Sequence, residues 1–159
     1  MASRTTSFWT FIVILVLLHL AVRVGLGLSV VPDLITVAVL LGARRLGGWQ
    51  AALFGLVLGI LADSLAVVGF GATAVAYVIT GYLGSRSRNF FEGESYLFTV
   101  VYAFVAAWLI DAIRFLVGGA MQRGVPLSYL LADAALGALY VTAAAVVSMI
   151  AYRAITGHR

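Results

Sequence analysis

Apolar residues run along this chain in blocks, separated by short polar or glycine-marked breaks. The first block, Phe8 to Leu28, is long enough as a helix to cross a hydrocarbon core of ~30 Å at ~1.5 Å per residue. Pro32 opens a second block, Asp33 to Gly42, in the position that proline takes at a helix start. About ten residues rise only ~15 Å, half a bilayer. This piece therefore spans incompletely, tilts, or extends through Arg44 and Arg45 into the interface. The third block runs from Trp49 to Leu65. After a turn between Gly69 and Gly71, Ala72 to Leu83 forms a fourth block, again short at ~18 Å. Residues 85–95 are the most polar stretch, and Tyr96 to Val117 is the fifth block. Gly118, Gly119 and Gly124 mark the next turn, and Pro126 to Ala154 is the sixth and longest block. The pattern predicts an all-α integral membrane protein. Its form is a compact six-helix bundle with two short helices, one domain over residues 1–159.

Arg4 ahead of the first block gives it the look of a signal peptide. No small-x-small cleavage site follows, and Arg23 interrupts where the run should end, so the block reads as a retained helix. Arginine also sets the orientation. With six crossings, Arg4, Arg44, Arg45, Arg86, Arg88, Arg153 and Arg159 fall on one side and Arg123 on the other. By the positive-inside rule both termini are cytoplasmic.

Composition agrees with this class and removes several chemistries. Hydrophobic residues make up 64% and charged residues 10%, with a mean hydropathy of +1.12; soluble domains carry about 25% charged residues. There is no cysteine, which excludes disulfides, cysteine-ligated zinc and thiol catalysis. His19 and His158 are the two histidines, too few for a histidine metal cluster. The net charge of +4 comes wholly from arginine and reads as topology, not nucleic-acid binding.

Within the blocks, small residues recur at helical spacing. Ala51, Gly55, Gly59 and Asp63 lie four apart and share one face, a pattern that lets a second helix approach closely in lipid. Ala72, Ala76, Thr80 and Gly84 form another ridge, with Thr73, Tyr77 and Gly81 alongside, and Ala103, Ala107 and Asp111 a third.

Charges inside spans are functional candidates by default, yet each has a plainer reading. Asp33 follows Pro32 at a helix start, where a carboxylate satisfies free N–H groups. Asp111 and Arg114 stand three apart and pair locally. Arg23 snorkels to the interface, and Asp133 sits where the interface still reaches it. Asp63 is harder to dismiss: an acid ending the Ala51, Gly55, Gly59 ridge should face protein or water rather than lipid, and Ser64 and the glycine-rich turn after it suggest a place near the surface. Structural pairing is favoured over transport throughout this set. His19, alone on an apolar helix, reads as a packing or interhelical hydrogen-bonding residue. No nucleophile–base pair is visible, which argues against an enzyme.

Read in order, residues 32–84 carry a more specific pattern. Pro32-Asp33-Leu34 is followed by Arg44-Arg45, then Gly55-x3-Gly59-x3-Asp63, then Gly69-Phe70-Gly71-Ala72, then Ala76-Tyr77 and Gly81-Tyr82-Leu83. This order resembles the MreD family of bacterial rod shape-determining proteins. The motif covers about a third of the chain, while span count and length carry the likeness over nearly all of it.

The resemblance implies a non-catalytic scaffold of the cell-elongation machinery for peptidoglycan synthesis, in the bacterial inner membrane and without a cofactor. Its implied partners are an MreC-like bitopic protein, a RodA-type glycosyltransferase, a class B penicillin-binding protein and the MreB filament. It also implies a fold similar to the substrate-binding subunits of energy-coupling-factor vitamin transporters. Pro32, Asp33, Gly55, Gly59, Asp63, Gly71, Tyr77, Gly81 and Tyr82 become candidates for helix packing or partner binding. Arg44, Arg45, Arg86 and Arg88 would face anionic membrane lipid or the filament.

A second reading, a vitamin-transporter binding subunit, would need a pocket, for which Trp108, Asp111, Arg114, Tyr129, Asp133 and Tyr140 are the candidates. Against it, the first span lacks an alanine-based docking stripe. An ion carrier using Asp63 and Asp111 ranks last.

Overall fold

A computed structural model of the chain describes residues 2–25, 33–65, 70–87, 96–119, 124–126, 128 and 132–156. Pro32, Gly69, Arg88, Arg123, Tyr129, His158 and Arg159 lie outside them. The described residues form six principal helices: α1 (Ala2–Leu20), α2 (Leu34–Ala43), α3 (Gly48–Ser64), α4 (Ala72–Ser87), α5 (Tyr96–Val117) and α6 (Asp133–Thr156). A π-helical turn, Ala21–Gly25, continues α1. Among the described residues, three apolar stretches are long enough to cross a membrane: Thr5–Arg23, Leu97–Val117 and Asp133–Ile155.

Three boundaries differ from the sequence reading, the first being the start of α1, which lies at Ala2 instead of Phe8. Helix α4 runs one turn past Leu83, to Ser87, because Ser85 Oγ donates to the Leu46 carbonyl (2.7 Å) and anchors that turn. Helix α6 starts at Asp133, not Pro126; a carboxylate in its first turn suits the positive end of the helix dipole.

The short second block stays short. Helix α2 has 10 residues, and Ile35, Thr36, Val37, Ala38, Val39, Leu40, Gly42 and Ala43 are all buried. A helix apolar on every side must be enclosed on every side, and α2 is packed by α1, α3, α4, α5 and α6. Its ends therefore meet protein, which removes the need to span the bilayer. Around this peg the other helices turn leucine, valine and isoleucine outward: Val13, Leu17, Val57, Ile60, Val101, Val105, Leu139 and Val147 are among the exposed residues. In water such a surface would aggregate; in lipid it is solvated.

Successive helices run in opposite directions. At one end the start of α1 meets the ends of α2 and α6, with Arg45 over the Phe8 ring and Phe8 edge-on to Tyr152 at 5.7 Å. At the other end the start of α2 meets the end of α5 through Asp33 and Arg114. The first is called the basic end and the second the polar end.

Helices α3 and α4 make the most extensive contact in the molecule. A methyl group at Gly55 would collide with the Tyr77 carbonyl, and one at Gly59 with the Ala74 backbone. One at Gly81 would stand 2.5 Å from the Ala51 carbonyl oxygen. Backbone meets backbone at all three positions, which only glycine permits. The ridge seen in the sequence is thus filled by α4 of the same chain. The other row of α4 faces α5 and α2, where Gly84 leaves room for the Tyr102 hydroxyl and the Ala43 side chain.

Candidate functional site

The polar end gathers most of the ionisable groups singled out in the sequence. Asp33 is the N-cap of α2, its Oδ1 accepting the Thr36 backbone N–H at 3.1 Å and its Oδ2 the Thr36 hydroxyl at 2.7 Å. This is the helix-start role that its position after a proline suggests. The carboxylate does more, however. Tyr77 on α4 donates to Asp33 Oδ2 at 3.2 Å, and its hydroxyl lies 2.7 Å from that of Thr36. Each hydroxyl has one proton, so the triangle satisfies two of its three contacts at a time.

Arg114 on α5 closes the cluster. Its Nη2 reaches Asp33 Oδ2 at 3.4 Å and Tyr77 Oη at 3.2 Å, and its Nη1 reaches Asp111 Oδ1 at 3.5 Å. The guanidinium also lies 5.4 Å from the Tyr77 ring centre. The local pair predicted for Asp111 and Arg114 is present, and the same arginine bridges to α2 and α4. Asp33 and Arg114 remain 27% and 29% exposed at their side chains, so these contacts are partly screened. On α6, Gly137 passes close to Asp111, with 3.5 Å from a would-be methyl group to Oδ2.

Asp63 faces protein, as an acid ending this ridge should, but lies deeper than the glycine-rich turn after it suggested. It is 1% exposed, and its partner is a helix terminus instead of a cation. Oδ2 accepts from the Gly71 and Ala74 backbone N–H groups at 2.9 and 3.0 Å, and Oδ1 from Thr73 N–H at 3.2 Å. These donors open α4, whose preceding residue, Gly71, has no side chain with which to cap it. The last turn of α3 therefore supplies the cap, where the helix dipole favours a negative charge. Gly71 has φ +94, a left-handed conformation that turns its N–H back toward Asp63.

His19 is 2% exposed, and its Nδ1 has no hydrogen-bond partner among the described residues. It packs in the interior, and its Nδ1 makes no interhelical bond among the described residues. Arg23 and Asp133 are exposed at helix ends. Of the pocket candidates for a transporter subunit, Tyr140 and Asp133 are exposed on α6, while Asp111 and Arg114 are partly buried on α5. No group of three or more His, Asp or Glu side chains is placed to hold a metal ion among the described residues.

At the basic end, Arg44 lies 5.2 Å from the Phe98 ring centre and 5.6 Å from that of Tyr102. Arg45 lies 3.9 Å from the Phe8 ring and 5.8 Å from the Tyr152 ring, and Arg86 lies 5.8 Å from that of Tyr82. Tyr82 is exposed, and its ring edges the start of α3 at Gly48.

Sequence reasoning missed Thr36 and Tyr102, whose hydroxyl donates to the Leu40 carbonyl at 3.2 Å. A polar residue three positions after Asp33 was the available signal for Thr36. Nothing in the pattern pointed to Tyr102. What the polar cluster can do chemically is hold α2, α4 and α5 in register. Compared with protein-family models, curated proteins and solved structures, the chain matches none.

Proposed function

We propose that this protein is a non-catalytic membrane scaffold of the bacterial cell-elongation machinery, in the inner membrane with both termini cytoplasmic. It would bind an MreC-like bitopic partner next to a RodA-type glycosyltransferase, a class B penicillin-binding protein and MreB. The observation that carries this reading is how the intramembrane charges are used. Asp33, Asp63 and Arg114 are engaged with other helices or helix ends of the chain, and Asp111 pairs with Arg114 on its own helix. Groups spent in this way fix a shape. The ordered motif over residues 32–84 supports the reading by its resemblance to that family, and Arg44, Arg45, Arg86 and Arg153 at one end suit the orientation.

The close-packed α3–α4 face is internal, so partner contact falls to the outward faces. Depletion in the native host tests the reading. Loss of rod shape, restored by the wild-type gene, is the expected result. Unchanged shape together with a new vitamin requirement would overturn it in favour of a transporter subunit.

A further inference from the structure

We infer that Arg45 is the phosphate clamp of a discrete site for one anionic phospholipid, at the basic end where α1, α2 and α6 meet. The inference does not depend on the scaffold reading. An ordinary surface arginine samples many rotamers and leaves its charge diffuse. Arg45 instead lies 3.9 Å over the Phe8 ring, with the Tyr152 ring 5.8 Å away. Those two rings belong to α1 and α6, so two helices hold the guanidinium carried on the turn after α2.

Aromatic rings engage the face of a guanidinium and leave its edge N–H groups unspent. Among the described residues, Arg45 is exposed and its side chain has no hydrogen-bond acceptor and no carboxylate partner. The four described carboxylates, Asp33, Asp63, Asp111 and Asp133, are all at the polar end. Next to it, Arg44 has a buried Nε that also lacks a partner. A rigid fork with free donors matches the paired oxygens of a phosphodiester. The surroundings supply the rest of a lipid site. Trp9 lies edge-on to Phe8 at 5.5 Å, and Trp49 is 67% exposed at the same end, where tryptophan marks the headgroup level. Val13, Ile14, Leu17 and Leu18 then present an apolar wall along α1 for the acyl chains.

Native mass spectrometry of the detergent-purified protein, titrated with phosphatidylglycerol or phosphatidylcholine, tests the site. Arg45→Gln is compared with Arg86→Gln, which removes the same charge from the same end. Wild type should retain one phosphatidylglycerol in preference to phosphatidylcholine. Arg45→Gln should weaken that binding by about tenfold, the scale of one charge-assisted hydrogen-bonded contact, and Arg86→Gln by under about twofold. Equal losses in the two variants would reduce the effect to a diffuse positive field and overturn the site. Retention of both lipids alike by wild type would do the same. Should Arg45→Gln fail to fold, Phe8→Leu replaces it: the charge stays but its platform goes, and phosphatidylglycerol binding must still fall. Unchanged binding in Phe8→Leu overturns the proposal.

Discussion

Glycine and aspartate illustrate opposite degrees of legibility at the scale of single residues. The row Ala51, Gly55, Gly59 was readable because small side chains at fourfold spacing have one physical use in lipid, the close approach of helices. The structure puts the Tyr77 carbonyl and the Ala74 backbone against two of them. Gly55→Leu or Gly59→Leu should therefore abolish or sharply reduce folded yield in detergent. Val57→Leu, on the exposed face of the same helix, should leave it unchanged. Size-exclusion profiles of the three variants check this, and normal yield of both glycine variants would count against the packing.

For Asp63 the ridge indicates an acid that faces protein or water, but neither its depth nor its partners. Its partners are backbone N–H groups eight to eleven residues on, across a glycine turn whose geometry a one-dimensional pattern does not carry. Asp63→Ala leaves those donors without a charged acceptor and should cost about 2 kcal/mol. Asp63→Asn should cost less, since an amide oxygen still accepts. Thermal unfolding in detergent ranks the two, and an unshifted midpoint for Asp63→Ala would contradict the capping role.

Among the elements, the second to fifth blocks matched helices to within about a turn, because length and hydrophobicity are local properties, while the first helix starts six residues ahead of its apolar block. The sixth was too long at its start. What α2 does was not legible. Its lack of a polar face signalled burial, but enclosure by five neighbours depends on contacts distant in sequence. The link from Asp33 to Arg114 spans 81 positions, which no spacing rule detects. It makes α2, α4 and α5 energetically coupled through Tyr77 and Thr36. Single substitutions Asp33→Asn and Arg114→Gln should each destabilise, and the double variant should lose less than their sum. The expected coupling is about 1 kcal/mol, modest because both groups are partly exposed. Strict additivity in a double-mutant cycle would separate the two residues and dissolve the cluster as a unit.

For the whole molecule, an apolar outer surface, a basic end and a polar end together describe a membrane protein with a defined axis. The natural absence of cysteine makes that axis measurable without background substitutions. Arg86→Cys and Asp133→Cys sit at opposite ends. In intact cells a membrane-impermeant maleimide should label Asp133→Cys and spare Arg86→Cys until the membrane is opened. The reverse labelling would invert the orientation.

The most direct test of the scaffold reading is what the protein holds in its own membrane. Tagged protein purified gently from the native host and analysed by mass spectrometry should bring an MreC-like bitopic protein, with or without a RodA-type glycosyltransferase and its transpeptidase. Recovery instead of two ATPases and a transmembrane coupling subunit would contradict it.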